Sequence, residues 1–233
     1  VVHANSSGAE QMTEFLAIIE EARAAGQDVT TEAYPYSASQ TYIESALFDD
    51  WEAWEPERYQ IFQWVNTGER LNRQSFAQYR AVGGIVIIHQ RTEAMTRTAI
   101  ESPLTMIASD GHIENGRGHP RGSGSYARVL GRYVRDEGIL DLMDALRRMT
   151  IEPARRLELR VPAMGKKGRI HPGADADLTI FDPETVIDRA TYTIGSIPSE
   201  GFRYVLVNGI PIVDGGRFVE NVRPDRPIRV DEH

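Results

Sequence analysis

The sequence predicts an α/β fold with a parallel sheet, followed by a smaller unit of short β-strands. Three observations carry that expectation. The chain opens in the order strand, helix, strand, the pattern of a βαβ unit. The order returns in "GGIVIIHQ", a helical run near Thr92 to Ile100, and "TMIASDG". After Val161 the texture changes to short apolar runs punctuated by Gly, Pro and Asn-Gly.

Taken in order, "VVHANSSG" reads as a strand from its first residue, with no Met and no leader, as though the chain were one piece of a longer polypeptide. In "EQMTEFLAIIEEARAAG" the apolar residues Met12, Phe15, Leu16, Ile19 and Ala22 keep a helical period, and Gly26 is the stop. "DVTTEAYPY" is a short strand ended by Pro35. Thr41 to Arg80 holds all three tryptophans, Trp51, Trp54 and Trp64, and reads as helices or a long loop over a surface or pocket. In "SYARVLGRYVRDEG" Tyr126, Val129, Leu130, Tyr133 and Val134 share one helical face. "GILDLMDALRRMT" is another helix. "TIEPARRLEL" is a short one, with Thr150 as candidate N-cap and Pro153 in the first turn. Asn208-Gly209 between "YVLV" and "IPIV" is a strong hairpin signal. "RPDRPIRVDEH" reads as a wrapping tail.

The 233 residues allow a sizeable core in one or two domains, with 41% hydrophobic and 26% charged residues. A net charge of -8 argues against nucleic acid as partner, because phosphate binding needs clustered Lys and Arg. No run of 18 apolar residues signals a membrane span. The absence of cysteine excludes disulfides and thiolate ligands within the chain and fits a reducing, cytoplasmic setting.

Why should an apolar run end in Ser109-Asp110-Gly111? In (β/α) barrels the catalytic groups sit at the C-terminal ends of the strands. An Asp there can bind a metal or take a proton; it can equally cap the next turn through its own backbone. His3 carries the same two readings, ligand or packed, hydrogen-bonded histidine.

Three segments together resemble the N-acyl-D-amino-acid deacylase (D-aminoacylase) branch of the metal-dependent amidohydrolases: "VVHANSSG", "EAYPYSASQT" and "ASDGHIENGRGHPRGSGSYARVLGRYVRDEG". "GRIHPGADADLTIFDPETVID" is similar to the C-terminal β segment of amidohydrolases in general. The resemblance runs from Val2 to about Val219 and is weakest over Thr41 to Arg80. It implies the C-terminal part of an amidohydrolase-type (β/α)8 barrel plus a small β domain. Residues 1–160 would hold barrel strands six to eight with their helices and an insertion at about 41–80. Residues 161–233 would form the β domain and tail.

The resemblance also assigns roles. His3 falls on a metal-binding His and Asp110 on the Asp ending the eighth strand, which serves the metal and shuttles a proton. Arg121, in "HPR", falls on an Arg that grips the substrate's α-carboxylate, helped by Tyr34. Gln40 stands where relatives have Ser, and Asn5 where some have Lys; both departures leave the substrate's side chain open. The implied cofactor is zinc, one or two ions. The implied substrate is a small N-acyl-D-amino acid, its amide cleaved by attack of a zinc-activated water.

The chemistry is coherent on its own terms. Zinc lowers the pKa of a bound water and polarises a carbonyl, and a neighbouring carboxylate can carry a proton to the leaving amine. A fork-shaped, permanently charged Arg suits a carboxylate. Such a site needs three or four protein ligands, and only His3 and Asp110 are nameable here; the rest would lie upstream of Val1. His89 ends an apolar strand and has no ligand counterpart in the resemblance; His112 and His119, in the loop after Asp110, could line the site or equally be solvated; His171 belongs to the β unit. Two other readings stand beside this one. One is a cyclic-amide amidohydrolase of the dihydroorotase or hydantoinase kind, which an Arg121–Tyr34 carboxylate grip disfavours. The other is a non-catalytic interaction protein on the same scaffold.

Overall fold

The computed structural model describes residues 1–229; the last four residues of the expected wrapping tail, 230–233, lie outside the described residues. The chain starts with a single helical turn, α1 (Ala4–Ser7), and a longer helix, α2 (Met12–Ala24), which stops before Gly26 in the left-handed conformation (φ 81°). Met12 and Ile19 of the expected stripe are buried, and Phe15 and Leu16 pack against the core. Strand β1 (Thr31–Ala33) follows.

An antiparallel unit comes next: β2 (Ser39–Tyr42), a short helix α3 (Pro56–Tyr59), β3 (Phe62–Trp64), α4 (Arg73–Val82) and β4 (Ile85–Ile88). The chain then returns through α5 (Glu93–Glu101), capped by Thr92, to β5 (Thr105–Ile107). Strands β1 and β5 pair in parallel, Thr31 opposite Thr105 and Ala33 opposite Ile107. This is the parallel sheet that the strand-helix alternation predicts.

A two-residue-stranded hairpin, β6 (Ile113–Glu114) and β7 (Arg117–Gly118), leads into α6 (Arg121–Arg128), which continues as a π-helical stretch, Val129–Asp136. Helices α7 (Leu142–Met149) and α8 (Ile151–Glu158) complete the helical part. Thr150 does precede α8, but its hydroxyl donates back to the Leu146 carbonyl at 2.7 Å and does not cap. The last sheet is antiparallel, in the order β11-β10-β9-β8, from β8 (Leu178–Phe181), β9 (Phe202–Val207), β10 (Ile210–Asp214) and β11 (Arg217–Phe218). Its tight turn is Asn208-Gly209 with φ of 50° and 78°, the pair of positive values that a type I′ hairpin demands.

Two expectations need correction. Val1–His3 is not a strand. The segment runs beside β1, the Val1 amino group donating to the Thr30 carbonyl at 2.7 Å, but His3 turns left-handed (φ 35°) into α1 before a ladder can form. "GGIVIIHQ" is a strand, but it lies at the centre of an antiparallel sheet ordered β2-β4-β3 and not in the parallel one. That sheet runs from Ser39 to Ile88 and so exceeds the expected 41–80 region on both sides. Its cover is a cluster of Phe48, Trp54, Tyr59, Phe62, Trp64 and Phe76. Each such aromatic buries enough surface to contribute about 2–3 kcal/mol. A separate core joins Ala33 and Ile107 of the parallel strands to Met12, Ile100, Val129 and Tyr133 from the helices. Among the described residues no helix is long and apolar enough to cross a membrane.

Candidate active site

Parallel strands put their C-terminal ends on one side, and the chemistry-bearing residues gather there. Tyr34 follows Ala33, the last residue of β1; Asp110 comes three residues after Ile107, the last of β5. Residues 3–7 sit on the same ends. Asn5 is fully buried, and its amide nitrogen donates to the carbonyls of Tyr34 (3.0 Å) and Tyr36 (3.2 Å). The Ser6 hydroxyl lies 2.7 Å from the Tyr34 hydroxyl. The His3 main-chain N–H donates to a Glu32 carboxylate oxygen in a short hydrogen bond.

The opening turn of the site now has a physical cause. Asp110 is left-handed (φ 48°), and Ser109 accepts the Gly111 N–H at 3.3 Å. A Cβ on Gly111 would come within 2.6 Å of the Gly122 Cα. Glycine there lets the first turn of α6 lie backbone to backbone against the strand end. That approach delivers Arg121 to Asp110, an ion pair at 2.9 Å, with Arg121 4% and Asp110 42% exposed. The Arg121 guanidinium also stands 4.4 Å from the centroid of the Tyr34 ring. The structure therefore brings together Asp110, Arg121 and Tyr34, three residues that lie up to 87 positions apart in the chain.

His119 fixes this arrangement. It is fully buried, its Nδ1 accepting the Arg121 N–H at 3.0 Å and its Nε2 lying 3.1 Å from the Ala38 carbonyl, to which it donates. Burial first, and then the Arg121 charge, hold its pKa well below the usual histidine range, so the ring is neutral with a defined tautomer. Gln40 braces the same loop: its Oε1 accepts the His119 N–H at 2.6 Å and its Nε2 donates to the His112 carbonyl at 3.0 Å. Both ends of the Gln40 amide are thus engaged by the loop.

The two residues expected to serve a metal carry their own marks. His3 Nδ1 is buried without a hydrogen-bond partner, and so is the second oxygen of Glu32. Burial pushes the Glu32 carboxyl up; the His3 N–H and ring oppose that, and the Asp110 carboxylate reinforces it. Glu32 thus feels both His3 and Asp110. Both have left-handed backbone, a strained state for residues with a side chain and one that gathers at functional sites. Among the described residues no three His, Asp or Glu side chains form a group able to hold a metal ion. The orphaned His3 nitrogen and the half-exposed Asp110 fit part of a ligand set.

The remaining histidines lie elsewhere. His89 packs on Tyr192 and bonds Gln63 at 2.9 Å; burial, then Arg70, lowers its pKa to about 4. His112 pairs with Glu114 at 2.7 Å on the exposed hairpin. His171 meets only the neighbouring Pro172 carbonyl. Sequence reasoning missed Glu32, Ser6 and above all Arg91, a buried arginine whose Nη2 donates to the Tyr34 hydroxyl at 2.6 Å. An Arg in "HQRTE" carries no sequence signal that separates it from a solvated one.

The amidohydrolase family model matches residues 4–213, and the chain belongs to that family. It is 34% identical over 234 residues to an N-acyl-D-glutamate deacylase of Alcaligenes xylosoxydans xylosoxydans, covering 93% of this chain and 44% of that one. It is 32% identical over 207 residues to a D-aminoacylase of the same organism, covering 82% and 40%. A crystal structure of N-acyl-D-glutamate deacylase from Bordetella bronchiseptica, complexed with zinc and a phosphonate mimic of the tetrahedral intermediate, superposes with a TM-score of 0.72 at 30% identity, over 93% of this chain and 48% of that one. The branch within the family is that of the D-aminoacylases, as the three strand-end segments imply. The chain spans less than half the length of these relatives.

Proposed function

We propose that this chain carries the C-terminal catalytic part of a metal-dependent deacylase of N-acyl-D-amino acids. The observation that carries the proposal is the buried Arg121 guanidinium, stacked on Tyr34 and paired with Asp110 at two parallel strand ends. On this reading β1 and β5 are the last strands of a barrel, and the sheet from Leu178 onward is a small β domain. His3 and Asp110 would hold zinc, with the other ligands coming from sequence outside these residues. Zinc, when bound, supplies an activated water and a Lewis acid for the amide carbonyl.

The chain's own residues do the rest. Arg121 and the Tyr34 hydroxyl hold the substrate's α-carboxylate, and the neutral His119 keeps the Arg121 backbone in register. A substrate carboxylate on Arg121 competes with Asp110 for the same guanidinium and frees the aspartate to act as base. Asp110 takes the proton of the attacking water and passes it to the leaving nitrogen as the C–N bond breaks, giving a carboxylic acid and a free amino acid. Asn5 holds the Tyr34 and Tyr36 carbonyls, which sets the position of the tyrosine.

The test is a panel of N-acetyl-D- and L-amino acids with their α-amides, run with metal analysis on the complete polypeptide. Free D-acids should react and amides far less. Asp110→Asn should keep the fold yet lose roughly 10²–10⁴-fold in kcat, since an amide cannot shuttle a proton. Equal rates on acids and amides would remove Arg121 from the site; a preference for L substrates would reject the reading.

A further inference from the structure

Arg91 is more than 90% buried and has no role in the catalytic reading above. It lies between β4 and α5 and is 8% exposed. One nitrogen, Nη2, reaches the Tyr34 hydroxyl. Nε and Nη1 are buried without any partner, and no carboxylate of the described residues pairs with this side chain. A buried guanidinium without a counter-charge is among the most costly groups a fold can hold. Beside Tyr34 and Arg121, the pair assigned to a substrate carboxylate, such a group calls for an anionic ligand.

The neighbouring charge makes the imbalance sharper. The Arg91 and Arg121 guanidiniums stand 5.6 and 4.4 Å from the Tyr34 ring centroid, so the two charges lie within about 10 Å of each other. Arg121 Nε is a third buried nitrogen in this region without a partner. His119, beside them, is neutral. The carboxylate at hand is Asp110, on Arg121. Once Asp110 serves as base, two guanidiniums remain, and one α-carboxylate neutralises only one of them. Gln40 has both ends of its amide engaged by the His112–His119 loop.

We propose that Arg91 is a specificity-determining residue which binds a second carboxylate, at the end of the substrate's side chain, while Arg121 holds the α-carboxylate. Resting on the deacylase reading above, this names the substrate class as N-acyl-D-amino acids with a short acidic side chain. The Tyr34 hydroxyl, bonded to Arg91, sits between the two receptors.

The experiment compares each acid with its isosteric amide. For N-acetyl-D-glutamate against N-acetyl-D-glutamine, and D-aspartate against D-asparagine, the ratio of kcat/KM should favour the acid by roughly a hundredfold. In Arg91→Met the ratio should fall toward one, and in Arg91→Lys to an intermediate value, because a point charge replaces a fork. Thermal shift with glutarate against butyrate gives a second readout that needs no turnover. Glutarate should raise the melting temperature of the wild type more than butyrate, and Arg91→Met should erase the difference. If Arg91→Met does not fold, Arg91→Lys decides. A wild-type acid/amide ratio near one, or a ratio unchanged in a folded Arg91 variant, overturns the proposal and leaves the deacylase reading standing. No turnover of any N-acyl-D-amino acid by the complete polypeptide would fell the deacylase reading instead. Glutarate selectivity lost with Arg91 would still support the receptor, and its presence in Arg91→Met would reject it.

Discussion

Arg148 ties the helical layer to β5, the strand that leads to Asp110, and its removal has a calculable cost. The residue is 1% exposed. Its Nη1 donates to the carbonyls of Ile100 and Ser102 at 2.8 Å and of Thr105 at 3.3 Å, gathering the end of α5 and the start of β5. Nε and Nη2 both reach Asp144 Oδ2 at 2.7 Å. Arg148→Met keeps the stem and deletes the charge. Three carbonyls then lose a charged donor, each at a cost of about 1 kcal/mol or more. Asp144 loses less, being 31% exposed and still paired with Arg147 at 2.5 Å. The total is about 4 kcal/mol, in the range for breaking a buried ion pair, and for a chain of this size it lowers Tm by roughly 8–16 °C. Urea unfolding followed by far-UV circular dichroism measures it directly. Asp144→Leu combined with Arg148→Met should cost less than the two single changes added together, because neither partner is then left alone. A loss below about 1 kcal/mol for Arg148→Met would show that water replaces the guanidinium, and would refute the assignment of this residue as the clamp on β5.

Two further outcomes follow from particular contacts. His89 has a folded-state pKa of about 4 against an ordinary 6.5, so between those values the unfolded chain binds more protons and stability falls as pH falls. The effect is at most about 3 kcal/mol; His89→Gln should flatten that part of the stability curve, while the buried His119 keeps acting in the same direction, and an unchanged slope in urea titrations at several pH values would contradict it. A Cβ on Gly195 would land on the Gly118 carbonyl, which is main chain and cannot swing aside. Gly195→Ala should therefore cost about 1–3 kcal/mol in thermal melts, whereas Gly165→Ala, with nothing within 4 Å, should be neutral or slightly stabilising.

What the sequence revealed was local or carried by family motifs. Asn208-Gly209 announces its hairpin because only a few residues accept two consecutive positive φ values. The α2 stripe and Gly26 are equally local. Asp110, Arg121 and Tyr34 were nameable through "SDG", "HPR" and "YPY", and they meet. The direction of β4 was not legible, since a run buried on both faces, Ile85 to Ile88, has no alternation to reveal its partners. Val1–His3 misled for a related reason: strand propensity says nothing of whether a neighbour is there to complete the ladder. Arg91 and Arg148 carry no signal in the sequence, because an arginine's burial is decided by carbonyls and hydroxyls 43 to 57 positions away, not by its neighbours in sequence.

The aromatic cover of the antiparallel sheet has a spectroscopic consequence. Trp51, Trp54 and Trp64 all lie there, Trp64 stacked on Tyr79 at 4.3 Å and Trp54 on Phe62 at 5.4 Å, while among the described residues the rings against Tyr34 and Tyr36 are those of His119 and Tyr192. Tryptophan emission is therefore a reporter of that one sheet. An emission melt and an ellipticity melt interrogate different parts of this chain. Where the two curves coincide, the antiparallel sheet and the helical layer open as one cooperative unit; where they separate, the gap measures how independently the tryptophan-bearing sheet comes apart.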